Sequence, residues 1–240
     1  MLYLIIYGSL IIVVPGFIFA FICQIMINAR FKKYSKVQSE SGWTANEMSE
    51  MILEHQGIRS VDVRRVSGHL TDNYNPSNDV LSLSDSTYSG TDIASLAVAA
   101  HECGHAVQKH TGSFLMTLRS ILVPVTNIGS MLAVPVAVIG VILSFFITSS
   151  EVPTVIIAIG IVLYSLTTIF ALVTLPVEID ASRRALKMLS SSDVLNDREL
   201  SQARKVLTAA AMTYVASLVV SLLYLLRFIL LISMFKRKDD

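Results

Sequence analysis

Charge is scarce in this chain. Only 15% of its 240 residues are Asp, Glu, Lys or Arg, against about 25% in an average soluble domain. With 53% hydrophobic residues and a mean hydropathy of +0.62, this deficit excludes an ordinary soluble globular protein and indicates a membrane protein. A net charge of +1 lacks the basic excess that a nucleic-acid partner would call for. Cysteine is nearly absent. Cys23 and Cys103 stand alone, which leaves no disulfide framework and no CxxC metal pair; both read as small apolar fillers. Internal repeats and low-complexity segments are lacking. The apolar N-terminus has no basic stretch ahead of it and no clear A-x-A site, so it reads as a retained membrane helix and not as a cleaved leader.

Long apolar runs are what the chain has in place of charge. They cover residues 2–27, 121–147, 153–175 and 206–235, each long enough to cross a hydrocarbon core of roughly 30 Å. Pro15 and Gly16 predict a kink in the first, and Arg227 interrupts the last. Only "TSSEV" separates the second and third, which therefore form a helical hairpin. The fold class is mainly α and integral to the membrane, with about four transmembrane helices and a small β element. Five segments follow: an anchor (1–28), a polar region (29–118), the hairpin (119–176), polar helices (177–205), and a last membrane segment with a basic tail (206–240).

The polar region has its own punctuation. Thr44 followed by Glu47 is a capping box opening a helix over 44–56, with Met48, Met51 and Ile52 as its apolar stripe and Gly57 as its stop. Residues 60–66 alternate like a strand, and Val80–Leu83 form a second short strand after an Asn/Pro/Asp turn. A long helix runs from about Asp92 to Thr111 and ends at Gly112. In 177–205, two short helices flank a Ser/Asp/Asn turn, the first starting after Pro176.

Lys and Arg are unevenly placed. Residues 28–120 carry nine and residues 176–205 carry six, while the N-terminal tip and residues 148–152 carry none. Cytoplasmic flanks are enriched in these residues, so both polar regions are expected on the cytoplasmic side. The terminal "KRKDD" conflicts with a fourth straight crossing, and a lone Arg227 at membrane depth calls for irregularity or a polar partner.

The densest chemistry lies in "AAHECGHAVQKH", residues 99–110. Residues four apart on a helix sit about 40° apart around its axis, so His101 and His105 can aim their imidazoles at one ion. Glu102, on the adjoining face, is placed to take a proton from a water and return it to a leaving amine as general base and acid. Catalytic zinc needs three protein ligands and an open position. The third should be Glu, Asp or His close to a cytoplasmic membrane exit. Glu178, just after the third apolar run, is the leading candidate. Asp180 is its rival, although Arg183 and Arg184 compete for it; otherwise Asp180 orients a ligand or braces its helix. Glu151 falls on the wrong side, and Glu199 lies farther from the exit. His55, His69 and His110 read as surface histidines, His110 facing about 140° away from His105.

"AVAAHECGHAVQKHTG" followed by "LPVEIDASRRAL" resembles the YugP-like family of bacterial membrane zinc metallopeptidases, which share their plan with HtpX-type membrane proteases. The likeness spans nearly the whole chain, including "YNPSNDVLSLS". It implies His101, His105 and Glu178 as zinc ligands, Glu102 as catalytic acid/base, and a gluzincin-like catalytic region facing the cytoplasm of the bacterial cell membrane. It also implies an edge strand beside the zinc helix. Val80, Leu81, Ser82 and Leu83 are expected to be that strand and to pair an extended substrate. HtpX-type enzymes carry Ala-Asp three and four residues after the ligand Glu; here these are Ala181 and Ser182. Tyr214 and Arg183 are candidate transition-state donors, both near a cytoplasmic membrane end.

The reading is a membrane-anchored zinc endopeptidase acting on protein or peptide substrates, with Zn2+ as cofactor, the bilayer as environment and no nucleic-acid partner. Two others compete. A true intramembrane protease would need a zinc helix without the charges this one carries. A non-catalytic scaffold or adaptor stabilised by zinc would be favoured by a fourth ligand such as Cys103 or His110, but both point away from the His101–His105 face of the helix.

Overall fold

The computed structural model describes residues 10–147 and 151–236. In chain order the helices and strands are α1 (Val14–Tyr34), α2 (Ala45–His55), β1 (Asp62–Val66), β2 (Asn73–Asn75), β3 (Val80–Ser84), α3 (Ile93–His110), α4 (Phe114–Phe146), α5 (Val152–Ser191) and α6 (Asp197–Lys236). The chain divides into two units. One takes the described residues of Met1–Ile22, Leu118–Thr174 and Tyr214–Asp240; the other takes Cys23–Thr117 and Leu175–Thr213.

The first unit is the apolar one. Among the described residues four helices, each extending in part into the second unit, are long and apolar enough to cross a membrane: Val14–Tyr34, Phe114–Phe146, Val152–Ser191 and Asp197–Leu230. The hairpin of α4 and α5 packs through small residues. A Cβ on Gly140 would fall 2.6 Å from Ile157 Cγ1, and one on Gly160 would fall 2.8 Å from the Cβ of Ala137. Apolar helices associate by such close approach, since lipid supplies no hydrophobic drive between them. Pro124 and Pro135 lie inside α4 without ending it.

The expected kink at Pro15 and Gly16 falls slightly earlier, as a turn over residues 11–13. Proline offers no N–H to the carbonyl four residues before it, here that of Ile11, and Pro15 occupies the first turn of α1. Residues 2–9 of the first apolar run, and 237–240 of the basic tail, lie outside the described residues. The last run is one unbroken helix. Within it the Arg227 guanidinium lies 6.0 Å from the Tyr224 ring centroid.

The second unit holds the polar chemistry, and its helices begin and end where their caps dictate. Thr44 Oγ1 accepts from the Glu47 N–H at 3.3 Å, while Thr44 N–H donates to Glu47 Oε2 at 3.1 Å. Gly57 then takes φ +73°, a conformation glycine adopts without a steric penalty. The exposed N–H groups at the start of α2 are answered by the loop before α3: Ala45 donates to Gly90 O and Asn46 to Tyr88 O. Asp92 caps α3 by accepting from Ser95 N–H at 3.0 Å, and Gly112 closes it at φ +69°. Met48, Ile52, Leu81, Leu83, Ile93, Leu96 and Leu189 form a buried core between α2, α3, the sheet and the polar end of α5.

Two expectations are corrected here. Val80–Leu83 do not form an edge strand. The strand order is β1-β3-β2, so β3 is central, parallel to β1 and antiparallel to β2. Both its hydrogen-bonding edges are engaged, by β1 over Val80–Ser84 and by β2 over Val80–Ser82, and Leu81 and Leu83 are fully buried on one face. Nor does a helix start at Pro176. Pro176 lies inside α5, and the two short helices expected over 177–205 are the polar ends of α5 and α6. The change from apolar to polar sequence alters what the helix packs against and leaves its backbone continuous.

Candidate metal centre

The site is built where α3 and α5 touch backbone to backbone. A Cβ on Gly104 would lie 2.6 Å from the Ala181 carbonyl oxygen, so only a glycine permits the contact. Gly104 lies between His101 and His105, and Ala181 between Glu178 and Ser182. The close approach therefore sets the two histidines of one helix against the glutamate of the other. Gly104→Ala forces the backbones apart. It should cost about 1–3 kcal/mol of stability, as overpacking usually does, and weaken metal binding. A thermal melt with metal titration reads both.

Three donor atoms converge. His101 Nε2 lies 3.0 Å and His105 Nε2 3.5 Å from Glu178 Oε2, and all the ligand atoms lie within 4.8 Å of one another. Glu178 is 1% and His105 5% exposed, so neither can rely on solvent to balance its charge or lone pair.

The second nitrogen of each imidazole is already engaged. Gln108 Nε2 donates to Val177 O and to Asp180 Oδ2, both at 2.8 Å. Its Oε1 is thereby turned to His105 Nδ1, 3.0 Å away. An oxygen acceptor there requires Nδ1 to carry the proton, which leaves a lone pair on Nε2 facing the centre. Ser182 Oγ lies 3.1 Å from His101 Nδ1 and can accept from it in the same way. Two imidazole lone pairs and a carboxylate oxygen that close repel unless a cation lies among them. The donor set therefore fits a divalent ion, and a nitrogen/oxygen set of this kind suits zinc.

Removing the oxygen at Gln108 should loosen the centre without touching a ligand. Gln108→Leu leaves His105 Nδ1 and Val177 O without their partner. A loss of zinc affinity of about 10–100-fold is expected, as for other outer partners of metal-bound histidines, measured by competition with a chromophoric chelator.

Glu102 lies on the adjoining face of α3. Its Oε2 accepts from the Tyr74 backbone N–H at 2.8 Å. Burial pushes its carboxyl up to about 7, with repulsion from Glu178 and Asp72 adding to this and the attraction of His101 and Tyr74 N–H opposing it. Tyr74 is held in turn. Its hydroxyl donates to Asp79 at 2.5 Å, and Asp79 also takes Lys109 Nζ at 2.7 Å. Burial raises the Asp79 carboxyl, but hydrogen bonds from Lys109, Tyr74 and His110 outweigh it and hold it at about 2. The strand that positions Glu102 is thus pinned to the C-terminal end of α3.

The other expected residues fall as follows. Asp180 accepts from Arg184 at 2.7 Å and from Gln108, which places it behind His105, outside the donor group. Glu199 is buried and spent on a cap, exchanging hydrogen bonds with Asn196. Cys103 points to Ser49 O, and burial pushes its thiol up to about 12. His110 is turned to Asp79. Val80–Leu83 are occupied by their neighbouring strands. Arg183 is exposed on α5, and Tyr214 belongs to the other unit. Tyr74, Gln108 and Ser182 were not anticipated. The spacing of Gln108 three residues after His105, and of Ser182 four after Glu178, is the signal that could have found two of them.

Comparison with known proteins agrees with the resemblance in the motifs. A family model described as "putative neutral zinc metallopeptidase" matches residues 9–233. The chain is 39% identical over 212 residues, covering 88% of its length and 91% of the relative's, to a protein of Bacillus subtilis (strain 168) named "Putative membrane protease YugP". No solved structure matches it significantly. With four apolar helices among the described residues and a buried His/His/Glu group, the chain belongs to the family described as "putative neutral zinc metallopeptidase".

Proposed function

We propose that the chain is a multi-pass zinc endopeptidase of the bacterial cytoplasmic membrane, with a gluzincin-like catalytic region at the cytoplasmic surface. His101, His105 and Glu178 hold the zinc, and Glu102 is the general base and acid. The observation that carries this reading is the convergence of two imidazole nitrogens and one carboxylate on a buried centre, with the Glu102 carboxyl on the adjoining face of α3, held by Tyr74 N–H.

A zinc ion held by His101, His105 and Glu178 would supply Lewis acidity toward a peptide carbonyl and toward a water molecule. The chain's own residues do the rest. Glu102 takes a proton from the water and passes it to the departing amine, its Oε2 fixed by Tyr74 N–H. Gln108 and Ser182 hold the histidines by their outer nitrogens. Tyr74 N–H leaves β2 toward Glu102, and in an antiparallel strand the carbonyl of the same residue projects to the same edge. With the Tyr74 N–H held by Glu102, the outer edge of β2, opposite its pairing with β3, offers the Tyr74 carbonyl to an extended substrate.

Several observations favour this reading over its rivals. The Ile93–His110 helix is not among the helices apolar enough to cross a membrane, which speaks against a zinc helix inside the bilayer. Among the described residues the donor group has three members and no sulfur, whereas structural zinc sites are closed by four ligands and rich in cysteine. The Lys and Arg of residues 28–120 and 176–205 support a cytoplasmic face.

The test is proteolysis of unfolded casein by the purified, detergent-solubilised full chain. Cleavage should stop with 1,10-phenanthroline and return on adding zinc. Cleavage indifferent to the chelator would sink the proposal.

A further inference from the structure

The polar ends of α5 and α6 enclose a second feature that the metal centre does not use. Between them lies a cleft of ≈ 590 Å³, within the range of about 300–1,000 Å³ typical of ligand sites. Arg183, Lys187 and Arg204 line it, with apolar walls from Ile179, Leu186, Leu200 and Leu207. No carboxylate lines it. All three cations are exposed, and none makes an ion pair or a hydrogen bond with another described residue. The nearby Asp180 spends its hydrogen bonds on Arg184 and Gln108, and Arg183 feels its charge without touching it.

The cleft adjoins the proposed catalytic centre through one side chain. Ser182 is part of its wall and also meets His101 Nδ1 at 3.1 Å. Three cations with no contact partner among the described residues, beside apolar walls, call for a ligand that is both acidic and apolar. The order of the residues narrows the choice. Along α5, Ile179, Arg183, Leu186 and Lys187 succeed one another; along α6, Leu200, Arg204 and Leu207 do the same. Charge and apolar surface alternate along the cleft. A lipid separates headgroup from tail, whereas a polypeptide can alternate them residue by residue.

We infer that this cleft binds a polypeptide segment in which Asp or Glu residues alternate with large apolar ones, and that it selects substrates carrying such a segment beside the scissile bond. The selection part rests on the peptidase reading; the binding part stands without it. Arg183, Lys187 and Arg204 are the selecting residues, and Ser182 marks where the cleft meets the metal centre.

Binding is measured on the zinc-loaded full chain carrying Glu102→Gln, in nanodiscs of neutral lipid, by fluorescence anisotropy of two labelled peptides. One peptide alternates Glu and Leu; the other replaces each Glu by Gln. The Glu peptide should bind at least about tenfold more tightly, since three surface ion pairs each contribute a little, and the preference should shrink as salt is raised. Adding Arg183→Gln, Lys187→Gln and Arg204→Gln, with zinc content and melting temperature unchanged, should abolish the preference. Equal binding of both peptides overturns the inference, as does a preference that survives the triple substitution. So does its disappearance in phosphatidylglycerol nanodiscs at matched salt, which would assign the cleft to anionic lipid. Cleavage of neither peptide by a wild type that still cleaves casein would overturn the selection part and leave the binding part in place, whereas cleavage of neither the peptides nor casein, with the binding preference intact, would remove the peptidase reading.

Discussion

Glu102→Gln lowers peptide hydrolysis about 10²–10⁴-fold, the range that a positioned general acid or base contributes, while the zinc content of the purified protein stays at the wild-type level. The two halves of this expectation come from different atoms. Glu102 is outside the donor group of His101, His105 and Glu178, so neutralising it removes no ligand. The amide of glutamine can still accept from Tyr74 N–H, the bond that orients the glutamate at 2.8 Å, so the local geometry survives. What is lost is a carboxyl able to hold and release a proton near pH 7. Metal analysis beside a casein assay reads both halves. A variant that keeps zinc and full activity would exclude Glu102 from the chemistry, and one that loses zinc would show that Glu102 is needed to form the centre.

Glu178→Gln has the opposite signature: activity disappears because the metal does. Glu178 Oε2 is the atom both histidine nitrogens approach, at 3.0 and 3.5 Å, and it is the only carboxylate in the group. Glutamine keeps the volume at this buried position, so the nearby contact of Gly104 with Ala181 is retained. It removes the negative charge that offsets a divalent cation away from solvent, where an unbalanced charge is most costly. The fall in zinc affinity should exceed the about 10–100-fold that loss of an outer partner brings. Zinc content after dialysis against a weak chelator tests it, with circular dichroism to confirm the helices. Zinc retained at the wild-type level would point to another third ligand.

The residues that could be read in advance are those governed by local rules. Helical spacing set His101, Glu102 and His105 on neighbouring faces, and the caps at Thr44, Asp92 and Gly112 mark where helices begin and end whatever surrounds them. Glu178 could be picked out because few acids lie near a membrane exit. Strand order was not legible. In a three-stranded sheet the central place goes to the strand that best fills both sides, and the alternation of Val80–Leu83 suits centre and edge equally. β2, the strand beside Glu102, is only Asn73–Asn75, too short and too polar to announce itself. Pro176 read as a boundary because helices often start with proline, yet a long helix can absorb one lost hydrogen bond. Gln108 and Ser182 become meaningful only once Gly104 is seen against Ala181, because that contact decides which side chains share the space behind the histidines.

The most direct test of the metal centre is the zinc-edge X-ray absorption spectrum of the purified wild-type chain. The expected spectrum has a first shell of nitrogen and oxygen only, at about 2.0–2.2 Å, with the outer-shell scattering of two imidazoles. That result fits zinc held by His101, His105 and Glu178 with a position left for water. A sulfur shell at about 2.3 Å, bringing in Cys103 or Cys23, or the scattering of a third imidazole, would contradict it and mark the zinc as structural.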